Sequence, residues 1–543
     1  MKKLIKVLVV VALVHPAVLS SSSTDYVYPL KHPAGRRYLA DQNERPFLWI
    51  GDAAWSLLVQ LSTEEAVRYL DDRKEKGFTV LLVNLIEHKF GSWAPANRYG
   101  EPPFTGKPFI TPNEGYFAHA DTVIQAAAKR GLAVLLCPLY LGYACGDDGF
   151  CAETRAAEAA DLREWGRYVG ERYASFDNIV WCIGGDTDPT PVKDRVLELV
   201  NGIREKDKRH LFTAHNHPES QAVSPWPSES WLTINNVYTY DLSLYLQCKA
   251  AYERSPLLPF FMMESAYENE HQASQVRLRS QAYWPLLCGA MGQIYGNCPM
   301  WHFGGYPQWC GRADWQTELD SPGAMSISRL ARVLSGRPWH LLIPDFNHQV
   351  MTDGYGSWGK PDYAAAACAE DGSLFMAYLP VGRTVTVDMK KLAGEKSACF
   401  WYNPRSGEFG EILLVANHGS HVFSAPSQED WLLVIEGNAQ HTPVPYGDSS
   451  TEKPNGAAAQ IEIYPNPGNR FTFVVSAAEP TTMTVYDLLG RAVCRIAENR
   501  HASGVRLVYW DAADGRGNRV LPGLYFVILK TASFSATKKL LIL

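Results

Sequence analysis

A chain of 543 residues is too long for one compact core and long enough for two to four domains of roughly 100–200 residues each. Hydrophobic residues at 46% and charged residues at 20% exclude wholesale disorder. The balance of 51 Lys and Arg against 57 Asp and Glu leaves a net charge of −6, with no basic block beyond the first residues, which argues against a nucleic-acid partner. Aromatic residues reach 12%, an excess that suits either a surface for stacking sugars or a β-rich core.

Residues 1–24 read as a secretory signal peptide: Lys2, Lys3 and Lys6 precede the apolar Val7 to Val14, and Ser20 to Thr24 is small and polar. The apolar run is too short for a bilayer, and no second run of about 18 apolar residues follows. An exported mature chain without a membrane span is therefore expected.

Residues 25–338 alternate short apolar runs with helical patterns, the signature of parallel βα units. The runs are Phe47 to Gly51, Phe78 to Leu85, Leu132 to Tyr140, Asn178 to Gly185, His210 to Asn216, Trp231 to Tyr238, Leu258 to Met263 and Ala290 to Asn297. Helices are predicted from Thr63, where Glu64 and Glu65 suit an N-terminus and Gly77 a C-terminal stop, and over Tyr116 to Arg130, ended by Gly131. Eight such units in roughly 300 residues predict an α/β class (β/α)8 TIM barrel. From 341 to 436 the texture becomes alternating strands and turns, a β-sandwich packed closely on the barrel because no linker separates them. Residues 437–458 are polar and rich in Pro and Gly, a linker, and 459–543 return to strands and turns as a further all-β domain.

The eleven cysteines contain no C-x-x-C pair and fit neither a disulfide framework nor a zinc ribbon. A local bridge between Cys145 and Cys151 is open in an oxidising compartment, whereas Cys137, Cys182 and Cys288 sit in apolar stretches and read as core.

A TIM barrel places its active site at the C-terminal ends of its strands. Those ends carry Asp52 and Trp55, Asn84 and Glu87, Tyr140 and Tyr143, Asp186, then His215, Asn216 and His217. The last three carry Tyr238, Tyr240 and Asp241, then Glu264, Tyr267 and Glu268, then Tyr295, Asn297 and Trp301. This acidic, aromatic and amide-rich rim suits a sugar. Asp52, Trp55, Asn84, Tyr140, His215, His217, Tyr238, Tyr240, Tyr267, Tyr295, Asn297 and Trp301 are its candidate substrate-binding residues.

Asp186 and Glu264 stand out as the catalytic candidates. Asp186 follows Gly184 and Gly185, which allow close backbone approach to a ligand, and Glu264 ends the apolar run Pro259 to Met263. Fourth and seventh strands face each other across a barrel, and glycoside hydrolysis needs two carboxyl groups flanking the scissile bond, about 5–5.5 Å apart for retention or roughly 6.5–9.5 Å for inversion. The competing roles are helix capping or a barrel ion pair. Two alternatives from other classes are a non-catalytic carbohydrate-binding barrel and a metal-dependent hydrolase built on His215 and His217, although no H-E-x-x-H occurs. Gly354 to Gly359 satisfies G-x-G-x-x-G, but it lies in a β-domain loop, and Pro361 stands where a P-loop needs Ser or Thr. No cofactor is implied.

The segments Trp49 to Ser56, Tyr69-Leu70, Lys76-Gly77-Phe78, Gly184-Gly185-Asp186, Glu264, Gln281-Ala282-Tyr283-Trp284 and Tyr295-Gly296-Asn297 resemble the apiosidase-like catalytic domain of glycoside hydrolase family 140. The resemblance implies a TIM barrel with the acid/base at the end of strand four and the nucleophile at the end of strand seven, matching Asp186 and Glu264. It also implies a retaining secreted glycosidase acting on plant cell-wall pectic oligo- or polysaccharides, with apiose release as the characterised activity. This chain departs from many members at Thr187-Asp188-Pro189. Residues 341–436, with Trp401 to Gly407, are similar to the collagen-binding-like sandwich that often follows this barrel, read here as a buttress. Ile463 to Pro467, Val485 to Arg491 and Leu521 to Tyr525 resemble the type IX secretion sorting domain of Bacteroidetes. That implies secretion machinery as a partner and a secreted or cell-surface location.

Overall fold

A computed structural model of the chain describes residues 26–438 and, within 460–542, all but 465–470, 478–480, 488–489, 500–503, 517 and 531–534. The expected signal, nearly all of the expected linker and parts of the sorting motifs lie outside the described residues.

All eight expected runs form strands: β1 (Trp49–Ala53), β2 (Val80–Asn84), β3 (Ala133–Cys137), β4 (Ile179–Gly184), β5 (Phe212–His215), β6 (Asn235–Tyr238), β7 (Phe260–Glu264) and β8 (Gly292–Tyr295). Every residue in them is buried, as expected for parallel strands covered on both faces. The hydrogen-bonded order is β5-β4-β3-β2-β1-β8-β7-β6, extended by a short antiparallel strand, Ser220–Gln221, on β6. Having β1 beside β8 curls the sheet in the manner of a (β/α)8 fold. The backbone ladder expected to close a full barrel is not continued between β5 and β6. Other bonds cross that seam: the Phe212 amide donates to Thr233 Oγ1 at 2.8 Å, Thr233 and Ile234 amides donate to the Phe212 carbonyl at 3.0 Å, and Asn236 Nδ2 donates to the Ala214 carbonyl at 2.7 Å.

Helices α1 (Thr63–Glu75), α2 (Glu114–Ala128), α3 (Ala159–Tyr173), α4 (Lys193–Lys206), α5 (Tyr245–Tyr252), α6 (Gln275–Leu287) and α7 (Pro322–Leu334) lie among these strands in sequence. At the start of α1, Ser62 and Glu65 form a reciprocal capping box, one residue earlier than Thr63 suggested. Gly77 follows its end at φ +82°, a conformation that favours glycine.

The following β-sandwich has one sheet made of Leu342–Pro344, Ala365–Ala369, Leu374–Leu379, Trp431–Glu436, Lys396–Asn403 and Glu408–Phe409, with Leu413–Ala416 paired to Lys396–Asn403. A second sheet contains Met351–Asp353, Thr384–Asp388 and Ser420–Ser424. Alternation along Leu374–Leu379 assigns its faces: Phe375, Ala377 and Leu379 enter the core between the two sheets, while Leu374, Met376 and Tyr378 enter the core shared with α6. Tyr378 stacks on Tyr283 of α6 with ring centroids 4.6 Å apart. The Gly354 to Gly359 loop belongs to the same contact, because Trp358 packs against Tyr245 of α5 at 5.2 Å. The described C-terminal residues form two antiparallel sheets around Phe473, Met483, Val485, Val527, Leu529 and Leu540.

One ion pair pins α6 to the sandwich. Arg279 donates through Nε and Nη2 to both oxygens of Asp430, at 2.6 and 2.9 Å, while Tyr378 and Arg405 complete the carboxylate's bonds. Both charges are buried. Removing one partner leaves the other uncompensated, so Asp430→Ala is expected to cost about 3–5 kcal/mol in equilibrium denaturation. A loss under about 1 kcal/mol would show that the pair does not hold the interface.

Candidate active site

Gly184 and Gly185 turn the chain sharply at the end of β4. Gly185 has φ +147°, and a Cβ there would come within 2.5 Å of the Tyr140 ring; one on Gly184 would come within 2.6 Å of the His215 carbonyl. Only glycines admit this approach. Asp186 follows at φ +33°, a conformation that costs a non-glycine residue energy and recurs at functional sites. The Ala144 amide holds the Asp186 carbonyl at 3.2 Å, and Ala144 adjoins the Cys145–Cys151 disulfide, which does form.

His215, at the end of β5, links the two acidic residues. Its Nδ1 accepts a hydrogen bond from the Asp186 amide at 2.8 Å, which leaves the proton on Nε2, and Nε2 donates to Glu264 Oε2 at 3.0 Å. Burial lowers the histidine's pKa, so the neutral ring required by this pattern is favoured. A second bridge runs through phenols: Tyr238 donates to Asp186 Oδ1 at 2.9 Å, Tyr240 donates to Glu264 Oε1 at 3.2 Å, and the two hydroxyls are 3.2 Å apart. Tyr140 reaches Asp186 Oδ2 at 3.4 Å.

Burial pushes Glu264 up to about 8, against hydrogen bonds from Tyr240, Tyr267 and Tyr238 that pull it down. Burial, and next the charge of Glu264, pushes Asp186 up to about 6. The two carboxyl groups therefore titrate as a pair that holds one proton between about pH 6 and 8. Donors reach both groups, Tyr238 and Tyr140 on Asp186 and His215 and Tyr240 on Glu264, and the higher value of Glu264 places the shared proton there in the free site.

Trp55 packs edge-on to His215 at 5.4 Å and donates its indole N–H to Tyr267 at 3.2 Å. An aromatic arc continues from Tyr140 to Phe90 at 5.9 Å and from Phe90 to Trp301 at 4.9 Å. Phe90 was not among the sequence candidates. Nor was Glu270, a third carboxylate of this region: it accepts from Trp301 at 2.8 Å, and burial, reinforced by Glu264, pushes it up to about 7. It lies among Asn269, His271 and Gln272, all at positive φ, a backbone path that composition does not reveal.

Several rim candidates serve the scaffold. Asp52 lies inside β1 with no exposure, accepting from Tyr69 at 2.7 Å and pairing with Arg73 of α1. Tyr295 donates its hydroxyl to Glu268, and Asn297 donates to Glu268 and Glu318 at 3.1 and 3.0 Å, so Glu268 ties the end of β8 to its neighbours. Asn84 is buried beside Glu87, which accepts from Ser56 at 2.6 Å. His215 and His217 are held differently: both nitrogens of His215 are engaged, while His217 lies beyond the strand with Nδ1 at 2.6 Å from the Pro218 carbonyl. Among the described residues the one cluster with metal-ligand spacing is Cys298, His302 and Cys310. Its two sulfurs are joined to each other, a bridge that the scattered cysteines did not suggest. Cys137, Cys182 and Cys288 are buried free thiols, as expected.

Residues 33–340 match the family described as apiosidase-like, catalytic domain; residues 348–436 match a collagen-binding domain of a collagenase; residues 462–543 match a secretion system C-terminal sorting domain. No curated protein matches the chain. A solved structure described as a glycoside hydrolase is 23% identical, covers 77% of this chain and 100% of its own, and superposes with a TM-score of 0.67. A glycoside hydrolase family 5 protein from Bacteroides vulgatus is also 23% identical, with coverage of 78% and 97% and a TM-score of 0.68. These structures share the fold. The type IX sorting domain marks the protein for export across the outer membrane, to the cell surface or beyond. With its matched region spanning more than half of the sequence, the chain belongs to the apiosidase-like family and is a glycosidase.

Proposed function

We propose that the protein is a retaining glycosidase of plant cell-wall, pectic glycans, with Asp186 as acid/base and Glu264 as nucleophile. The observation that carries this reading is the Tyr238–Tyr240 hydroxyl bridge between the two carboxyl groups, beside which His215 joins the Asp186 backbone amide to the Glu264 carboxylate. Asp186 gives its proton to the departing glycosidic oxygen as Glu264 attacks the anomeric carbon and the C–O bond breaks. Asp186, now ionised, takes a proton from water, whose oxygen displaces Glu264 and regenerates both groups. Tyr140, Tyr238, Tyr240, Tyr267, Trp55 and Trp301 would line the sugar's path. The pectic preference rests on the family resemblance.

In this reading residues 1–24 are a signal peptide, 25–338 a TIM barrel whose β5–β6 seam is closed by the bonds around Phe212 and Asn236, 341–436 a buttress, 437–458 a linker and 459–543 the sorting domain.

Glu264→Gln and Asp186→Asn should each lower kcat/KM on a responsive pectic glycan by at least about 10²-fold. Activity within tenfold of wild type for either variant would remove that residue from its role. NMR of the first-formed sugar should show the anomeric configuration of the substrate. Activity should persist in EDTA, whereas a hydrolase dependent on His215 and His217 would lose it.

The pH profile has a sign that follows from the pair. Below about pH 6 both carboxyls are protonated and no nucleophile exists; above about pH 8 both are ionised and no acid exists. The kcat/KM profile should be a bell with limbs near those values. A profile flat from pH 5 to 9 would count against the pairing.

A further inference from the structure

Glu270 lies close enough to Glu264 to feel its charge, yet neither the acid/base step nor the scaffold accounts for it. Its neighbours Asn269, His271 and Gln272 sit at φ +68°, +48° and +52°, a left-handed stretch that costs non-glycine residues energy and recurs at functional sites. Three bonds enforce that path. Asn269 Nδ2 donates to the Cys298 carbonyl at 2.8 Å, the Glu268 amide donates to the Gly296 carbonyl at 2.8 Å, and the Glu270 amide donates to the Tyr267 carbonyl at 3.1 Å. The path delivers one carboxylate to two indoles. Glu270 Oε1 accepts from Trp301 Nε1 at 2.8 Å, and burial pushes its pKa up to about 7 against hydrogen bonds from Trp301 and Trp309.

Holding an indole does not need a charge. A glutamine would accept the Trp301 N–H through its amide oxygen, without the cost of a buried anion or of repulsion from Glu264. No cation offsets that cost: among the described residues the one basic group within ion-pair reach is His271, whose Nε2 lies 3.9 Å from Oε2, and burial keeps its pKa low. A carboxylate accepts up to about four hydrogen bonds, so positions on Glu270 remain open once the indoles are served. The side chain keeps 11% of its surface exposed, and Trp309 beside it keeps 58%. The wall around it suits a sugar. Trp301 continues through Phe90 to Tyr140, and His271 packs at 4.7 Å on the ring of Tyr240, whose hydroxyl reaches Glu264. Such a wall gives hydroxyl hydrogens an anion to meet and gives the C–H faces of a sugar ring aromatic surface.

We propose that Glu270 is a specificity-determining residue of the glycosidase, its carboxylate accepting a hydroxyl hydrogen of the sugar that Glu264 attacks, with the Trp301 and Trp309 indoles fixing its orientation. The assignment rests on the reading of Glu264 as nucleophile for the sugar's place. Its chemistry is the charge-assisted capture of a hydroxyl. A site built to bond a hydroxyl discriminates strongly against an analogue that lacks it, because the carboxylate is then left buried without its partner. Hydroxyls next to the anomeric carbon bond more strongly as the C–O bond breaks, so the effect belongs in kcat as well as in kcat/KM.

The test is steady-state kinetics of the full-length protein on the 4-nitrophenyl glycoside of apiose and on counterparts in which one sugar hydroxyl at a time is replaced by hydrogen. Glu270→Ala and Glu270→Gln should each lower kcat/KM on the parent glycoside by at least about tenfold, as expected for a charged hydrogen bond. One deoxy glycoside should be at least about tenfold poorer than the parent for the wild type, and Glu270→Gln should bring that ratio near one. A side chain that only anchors Trp301 gives another pattern, because the glutamine oxygen still accepts the indole N–H. Glu270→Gln would then match the wild type and leave every deoxy ratio unchanged, which would overturn the proposal. Wild-type protein inert on the parent glycoside would overturn it as well. Glu264→Gln keeps the two readings apart: if that variant retained hydrolysis, the nucleophile assignment would fail, while the deoxy ratios would still judge Glu270.

Discussion

Two carboxyl groups coupled through shared hydrogen bonds and burial oppose each other, and much of this structure manages that opposition. Burial and mutual repulsion favour protonation of both, yet a glycosidase of this kind needs one proton and one charge. Neutral His215 moderates the conflict by taking a backbone amide of one acidic residue and giving a proton donor to the other. The tyrosine pair spans the same gap through hydroxyls, which can orient toward whichever group is ionised. The glycine turn before Asp186 and the bridged Cys145–Cys151 loop beside it then hold one end of the assembly, and β7 holds the other.

Around this pair the scaffold uses a second set of acids in the opposite manner. Asp52 and Glu268 are at least as buried as the catalytic candidates, but Asp52 turns Oδ2 to Tyr69 and Arg73, and Glu268 accepts from Gln275, Asn297 and the Gly323 amide. An acid tied in this way to neighbouring elements stiffens a barrel. One whose partners are phenols and a neutral imidazole remains available to a ligand. Chemical type alone does not separate the two kinds; the difference lies in what each oxygen touches.

That distinction marks how far the sequence could be read. Eight buried parallel strands announce themselves as apolar runs, and both acidic candidates follow from their position at strand ends. The inward or outward direction of a residue within such a strand does not, because both faces are apolar. Position at a strand end alone therefore points Asp52 to the mouth, whereas its partner Arg73 lies on α1 in the helical layer. Glu270 escaped notice because a run of left-handed backbone brings it back after β7, and nothing in the residue names Asn269, His271 and Gln272 requires that path. Cys298 and Cys310 are hidden for a related reason, since a separation of twelve positions is no characteristic spacing. His215 and His217 looked alike in sequence, but the strand ends between them.

The alternation along Leu374–Leu379 has a practical consequence for how the enzyme can be divided. A single strand contributes one set of side chains to the sandwich interior and the other to the housing of α6. A truncation at the family boundary near residue 340 would strip away that second set, baring Tyr283, Trp284 and Leu286 and orphaning Arg279. A fragment that keeps this face of α6 covered therefore runs through Glu436 instead of stopping at the barrel. The sandwich is less an appended module than the outer wall of the catalytic unit, and exchanging it for an unrelated β-domain would require rebuilding one face of a helix that begins beside the active-site mouth.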